Sequence, residues 1–212
     1  MKAATFQQDL VVLTPDKDIQ LTMEGLLSRP KDLGIRPVTK VLISHHHHRD
    51  PGVLRDAPEL LRAYLRVAHY ALVVLDRVGC GKERLSRAEI ETEIEQNLSK
   101  NGWPNRCAAV AIDPELEIWV WNRDYRVASI LGWRGDYASL KRWMIQKKLL
   151  PAGRGKPDRP KEALQAVLRE TRTPRSASLY KELARAVKLD TCTDAAFHKL
   201  RSVLREWFGP GP

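Results

Sequence analysis

Four short apolar runs separated by stretches of helical spacing constrain this chain more than any other feature. They are "DLVVL" (Asp9–Leu13), "PVTKVLI" (Pro37–Ile43), "YALVVLD" (Tyr70–Asp76) and "CAAVAI" (Cys107–Ile112). Runs rich in Val, Ile and Leu fit strands covered on both faces, which is the situation of a parallel sheet. Between them lie helical patterns at Asp18–Leu27, Leu54–Val67 and Ser86–Leu98. The last opens with Ser86 and has Glu89 three residues on, a capping box. Strands alternating with helices at this spacing predict an α/β domain with a mostly parallel sheet of four strands.

Beyond about residue 135 the strand signals stop. "YASLKRWMIQKKLL", "PKEALQAVLRET", "SASLYKELARAV" and "DAAFHKLRSVLREWF" all read as helices, and "PAGRGKPDRP" (Pro151–Pro160) reads as a loop. The expected organisation is an α/β core over residues 1–135 and a basic helical portion over 136–212 packed on it. The 212 residues suffice to bury a core without staples. Three widely spaced cysteines without a CxxC pair are neither a disulfide framework nor a zinc knuckle, and point to a reducing cytosol. The N-terminal apolar run is too short for a signal peptide, and no run approaches the length of a membrane span. A soluble, cytoplasmic protein with no membrane partner is expected. The net charge of +10 favours an anionic partner, of which nucleic acid is the commonest. Lys141 to Arg175 is the most basic part, with eleven Lys/Arg against three acids. Lys147, Lys148, Arg154, Lys156 and Arg159 are its candidate backbone contacts.

Parallel sheets bind ligands outside the carboxyl ends of their strands. Each run here ends in acids: Asp16 and Asp18 after the first, Asp50 after the second, Asp76 at the third, and Asp113, Glu115 and Glu117 after the fourth. Taken singly, each has a bland explanation, such as N-capping by Asp16, Asp18 or Asp113-Pro114. Taken together they read as a site for Mg²⁺ or Mn²⁺, because gathered carboxylates need a compensating cation and these hard oxygen donors suit those ions. Glu115 and Glu117 diverge by roughly 200° on a regular helix. They share one pocket only if the chain there is extended or just turning, and in a full helix Glu117 is the better candidate.

Other features carry less. In "SHHHHRD" a transition-metal site is conceivable, but His45 alone is expected to be useful, with the rest solvated. "GCGK" (Gly79–Lys82) lacks phosphate-loop spacing, which excludes a P-loop ATPase. No Cys–His spacing supports Cys80 as a nucleophile. Trp119, Trp121 and Trp133 could stack on bases, although core packing is expected for Trp119.

The order of "VVLTPDKD", "VVLDRVGCG" and "DPELEIWVW" resembles the TOPRIM-like proteins of bacterial anti-phage loci, including RloB-type proteins. "SLYKELARAVKLDTCTDAAFHKLRSVL" (Ser178–Leu204) is similar to their C-terminal helical segment. More narrowly, the chain resembles components of methylation-associated defence systems. The resemblance implies a TOPRIM-like, Rossmann-like fold, other defence proteins as partners, and a Mg²⁺- or Mn²⁺-dependent nuclease or phosphodiesterase. It implies metal ligation by Asp16, Asp18, Asp76 and Glu117, with Glu115 as ligand or general base and Arg49 or Lys82 neutralising phosphate. Two departures stand out. Asp16-Lys17 replaces the usual Glu-Gly, and Asp76-Arg77-Val78 lacks the second acid of Asp-x-Asp. Asp18, Asp50 or Asp113 would have to supply it, or else the site holds one metal or is inactive. The departure favours a rival reading, a non-catalytic DNA-binding or assembly subunit; a small-nucleotide or protein-binding sensor is a third.

Overall fold

The computed structural model describes residues 6–121 and 124–210. Its order is β1 (Gln8–Thr14), α1 (Lys17–Leu27), α2 (Pro30–Leu33), β2 (Val41–His45), α3 (Arg49–Arg62), β3 (Ala68–Asp76), α4 (Arg87–Lys100) and β4 (Cys107–Ile112). A 3₁₀ turn (Leu116–Trp119) follows, then α5 (Tyr125–Ile130), α6 (Tyr137–Gln146), α7 (Pro160–Thr171), α8 (Ala177–Ala186) and α9 (Ala195–Phe208). The four strands form one parallel sheet in the order β2-β1-β3-β4. This is the expected α/β architecture with a helical C-terminal region. No described helix is long and apolar enough to cross a membrane.

Strand alternation sorts the core into two layers. Leu10, Val12, Leu72, Val74, Val110 and Ile112 face α1 and the C-terminal helices. Val11, Leu13, Ala71, Val73, Leu75, Ala109 and Ala111 face α3 and α4. Both faces are buried, which is why the sequence shows apolar runs rather than alternation.

Two expected boundaries differ. The second strand starts at Val41 rather than Pro37, since a proline there offers no N–H to a ladder. The third helix runs from Arg49 to Arg62 rather than Leu54 to Val67, and carries Pro58 inside it. Asp50 therefore lies in its first turn, not in a loop.

The edge strand β4 is sealed by side chains. Glu91 and Glu95 of α4 accept from the backbone N–H groups of Ala111 and Ala109, each at 2.9 Å. Lys199 of α9 donates to both carboxylates. An open row of strand donors is thereby closed. On the other side of the sheet, α8 lies close on α1 at Gly25. A Cβ there would meet Ala184 Cβ and the Lys181 carbonyl oxygen at 2.7 Å, so only glycine permits this approach. That contact carries Tyr180 and Arg175 toward the strand ends.

Candidate functional site

The sheet reverses its direction of growth between β1 and β3, because β2 lies outside β1 and β4 outside β3. A crevice opens at such a point beyond the strand ends. Asp16 follows β1 and Asp76 ends β3, so both border it.

Each acid reaches the crevice by a local device. Asp16 caps α1, its Oδ1 accepting from the N–H groups of Asp18 and Ile19 at 3.0 Å. The capping explanation therefore holds for Asp16, and it fixes the carboxylate at the crevice. Asp18 pairs with Arg175. Asp50, in the first turn of α3, accepts from the Asp76 N–H at 2.8 Å. Asp76 in turn accepts from the Leu116 N–H at 2.8 Å. The ladder continues past β4, with Arg77 N–H donating to Ile112 and Val78 N–H to Pro114. This zips the end of β3 to the segment ahead of Glu115.

That segment is just turning, which is the condition under which both glutamates face one region. Glu115 is extended (φ −162°, ψ 167°) and leads into the 3₁₀ turn. Glu115 Oε1 accepts from the Lys161 N–H at 3.1 Å, and its Oε2 lies 3.6 Å from Lys161 Nζ. Glu117 is 2 % exposed. Its Oε1 accepts from the Tyr180 hydroxyl at 2.6 Å, and its Oε2 has no hydrogen-bond partner. Arg175 completes the network, donating to Tyr180 and lying 4.0 Å from Glu117 Oε1.

The electrostatics show an under-compensated pocket. Burial pushes the Asp50 carboxyl up to about 6, partly opposed by its hydrogen bond from Asp76. Burial, then the charges of Asp50, Glu117 and Asp16, raise Asp76 well above the carboxylate range. Burial also raises Glu117, against the opposing hydrogen bond from Tyr180. Asp18 rises as well, because burial outweighs its ion pair with Arg175. Carboxylates pushed up together mark a pocket short of positive charge.

Several expected residues lie elsewhere. Asp113 is exposed and pairs with Arg77 at 2.8 Å, so it neither caps a helix nor joins the acids. Lys82 pairs with Glu93 of α4 rather than facing Asp76. Arg49 is exposed at the start of α3. His45 is exposed and bonds Gln20, whereas His46 is buried: its Nδ1 accepts from the His48 N–H and its ring rests on Gly52. The histidine turn thus packs against α3 through His46, which is buried rather than solvated as expected, while His47 and His48 are exposed. Trp119 and Trp121 are core, donating to Asp194 and to the Pro160 carbonyl oxygen. Half-buried Trp133 donates to Ser139. Lys147, Lys148, Arg154 and Arg159 are exposed between α6 and α7, with Lys156 half-buried among them.

Sequence reasoning missed Lys161, Arg175 and Tyr180. They come from the helical region and meet the acids only through tertiary packing. The one local signal was Lys161 itself, next to the Pro160 that opens α7.

Among the described residues, no three His, Cys, Asp or Glu side chains converge into a metal-holding group. That excludes a closed protein cage but not a hydrated ion, because Mg²⁺ commonly takes one or two carboxylates and keeps several waters. The unpartnered Glu117 oxygen fits such an ion, and Asp76 couples electrostatically to both Glu117 and Asp16. The molecule is thus a parallel α/β protein with an acidic pocket at its topological switch point. No family model, curated protein or solved structure matches the chain.

Proposed function

We propose that the chain is a Mg²⁺- or Mn²⁺-dependent phosphodiesterase acting on nucleic acid, of the TOPRIM-like kind, serving in anti-phage defence. The observation that carries this reading is Glu117: a buried carboxylate with one oxygen held by Tyr180 and the other free, coupled to Asp76 at the switch point.

The chain's own residues divide the work. Glu117, with Asp76 and Asp16 behind it, would hold the ion. When bound, the ion would activate a water and offset charge on the departing oxygen. Tyr180 keeps Glu117 Oε1 occupied and so aims Oε2. Arg175 and Lys161 stand beside the acids as donors for phosphate oxygens. The exposed cations between α6 and α7 supply a sequence-independent hold on the backbone.

A second reading, a non-catalytic nucleic-acid-binding subunit, is favoured by Val78, which is 47 % exposed where a second acid would complete the resemblance. One comparison separates the two. Plasmid and single-stranded DNA and RNA are incubated with the full chain and with Asp76→Asn in Mg²⁺ or Mn²⁺. The first reading expects metal-dependent cleavage that the variant loses. Equal cleavage by both proteins contradicts it. Salt-sensitive binding without cleavage supports the second.

A further inference from the structure

Among the described residues two cations stand beside these acids, and they are held very differently. Arg175 is pinned by Asp18 and Tyr180 and lies close to Glu117. Lys161 is fixed at its backbone, where its N–H donates to Glu115 Oε1, and among the described residues its side chain makes one ion pair, with Glu115. Its ammonium stands 3.6 Å from Glu115 Oε2, beyond good hydrogen-bond range, and its side chain is 42 % exposed. Yet its charge reaches the whole cluster, opposing the upward shifts of Asp18, Asp50, Asp76 and Glu117. In return Glu117, Glu115 and Asp76 overcome the effect of burial and raise the Lys161 ammonium. Two residues from Glu115, the Glu117 Oε2 atom is buried and unpartnered, and Glu117 couples electrostatically to Lys161.

We propose that Lys161 is a displaceable internal counter-ion: its ammonium partly offsets the acidic charge in the unloaded protein and yields that place to a divalent cation. The proposal rests on the metal-site reading above and adds how the site is loaded. A half-exposed ion pair of this geometry contributes little stability, so releasing it costs little. A divalent ion brings twice the charge to the same acids. Lys161 is the second residue of α7 and follows directly on the basic loop that ends at Arg159. Once displaced, its side chain is free to meet a phosphate beside the bound ion, so loading the ion also prepares the substrate side.

The test uses Mn²⁺ alone with the full chain. Calorimetric titration compares wild type, Lys161→Met and a control, Lys17→Met, which removes an exposed lysine next to Asp16. Lys161→Met keeps the backbone N–H and the apolar stem. It is expected to bind Mn²⁺ about three- to ten-fold tighter than wild type, while Lys17→Met stays within about twofold because its charge is screened. In parallel, wild type is treated with an amine-acylating reagent with and without Mn²⁺, and labelling at Lys161 is read by mass spectrometry. Metal is expected to raise that labelling. Equal or weaker Mn²⁺ binding by a folded Lys161→Met, or Lys161 labelling that metal leaves unchanged or lowers, overturns the proposal. If wild type binds Mn²⁺ and these results fail, only the displacement idea falls. If no variant binds Mn²⁺, the metal-site reading falls with it. The labelling arm stands even if the variant does not fold.

Discussion

The Tyr180 hydroxyl on α8 donates to Oε1 of Glu117 at 2.6 Å, tying the C-terminal helices to the acid that follows β4. Glu117 makes no other hydrogen bond through its second oxygen. The two residues are 63 apart in sequence, and neither has a local reason to find the other. Tyr180→Phe removes the donor and leaves a buried carboxylate oxygen unsatisfied. The expected loss is about 1–3 kcal/mol in urea unfolding. A loss below about 0.5 kcal/mol would mean that water reaches Glu117.

Stability should depend on pH through Asp50. Its folded carboxyl is raised from 3.8 to about 6, so the folded state keeps its proton to higher pH than the unfolded state does. The contribution is therefore favourable below about pH 4 and is lost as pH rises through about 6. Asp50→Asn retains an oxygen for the Asp76 N–H. It should flatten this part of the profile and stabilise the protein at pH 7.5 by up to about 3 kcal/mol. Melting temperatures from pH 4 to 8 for both proteins check this; parallel profiles would contradict it.

Glu91 should be among the costliest surface-helix residues to replace. It is buried, bonds Arg87 twice, meets Lys199 and accepts from the Ala111 N–H. Glu91→Ala leaves that strand donor and Arg87 without this carboxylate and Lys199 with Glu95 alone, and should cost about 3–5 kcal/mol. Chemical denaturation measures it, and a loss near 1 kcal/mol would show that β4 does not need its seal.

If the basic loop meets phosphates, Arg154→Ala, Lys156→Ala and Arg159→Ala together should lower the slope of log K against log salt by about 2–3, since each phosphate contact contributes roughly 0.7–0.9. Fluorescence anisotropy on labelled DNA at several salt concentrations reads the slope. An unchanged slope places the backbone contacts elsewhere.

Strands β1, β3 and β4 were legible because both of their faces are buried and each centres on an apolar run, whereas the half-buried edge strand β2 was legible only from its Val-Leu-Ile core. The C-terminal helices were legible because their apolar residues recur at helical spacing, as in α7, which spans the very residues of "PKEALQAVLRET". Asp50 was visible as a stand-in for the missing second acid, but its hydrogen bond to Asp76 depends on where α3 begins. The helical pattern placed that start five residues late, since Pro51 and Gly52 read as a turn. The site's cations were not legible. Lys161 and Arg175 lie in a stretch rich in such residues, and only packing of α7 against the 3₁₀ turn and of α8 against α1 selects them. Glu91 shows the same limit from the other side, as a charged residue on a seemingly solvated helix face that turns inward to seal a strand.

In the proposed function, Glu117 is held buried for an ion rather than for stability. Glu117→Gln tests it most directly. Glutamine keeps an oxygen for Tyr180 and removes a costly buried charge. The variant should unfold at an equal or higher urea midpoint than wild type while losing Mn²⁺ binding and metal-dependent cleavage of nucleic acid. Retention of wild-type Mn²⁺ binding and cleavage by a folded Glu117→Gln would contradict the account.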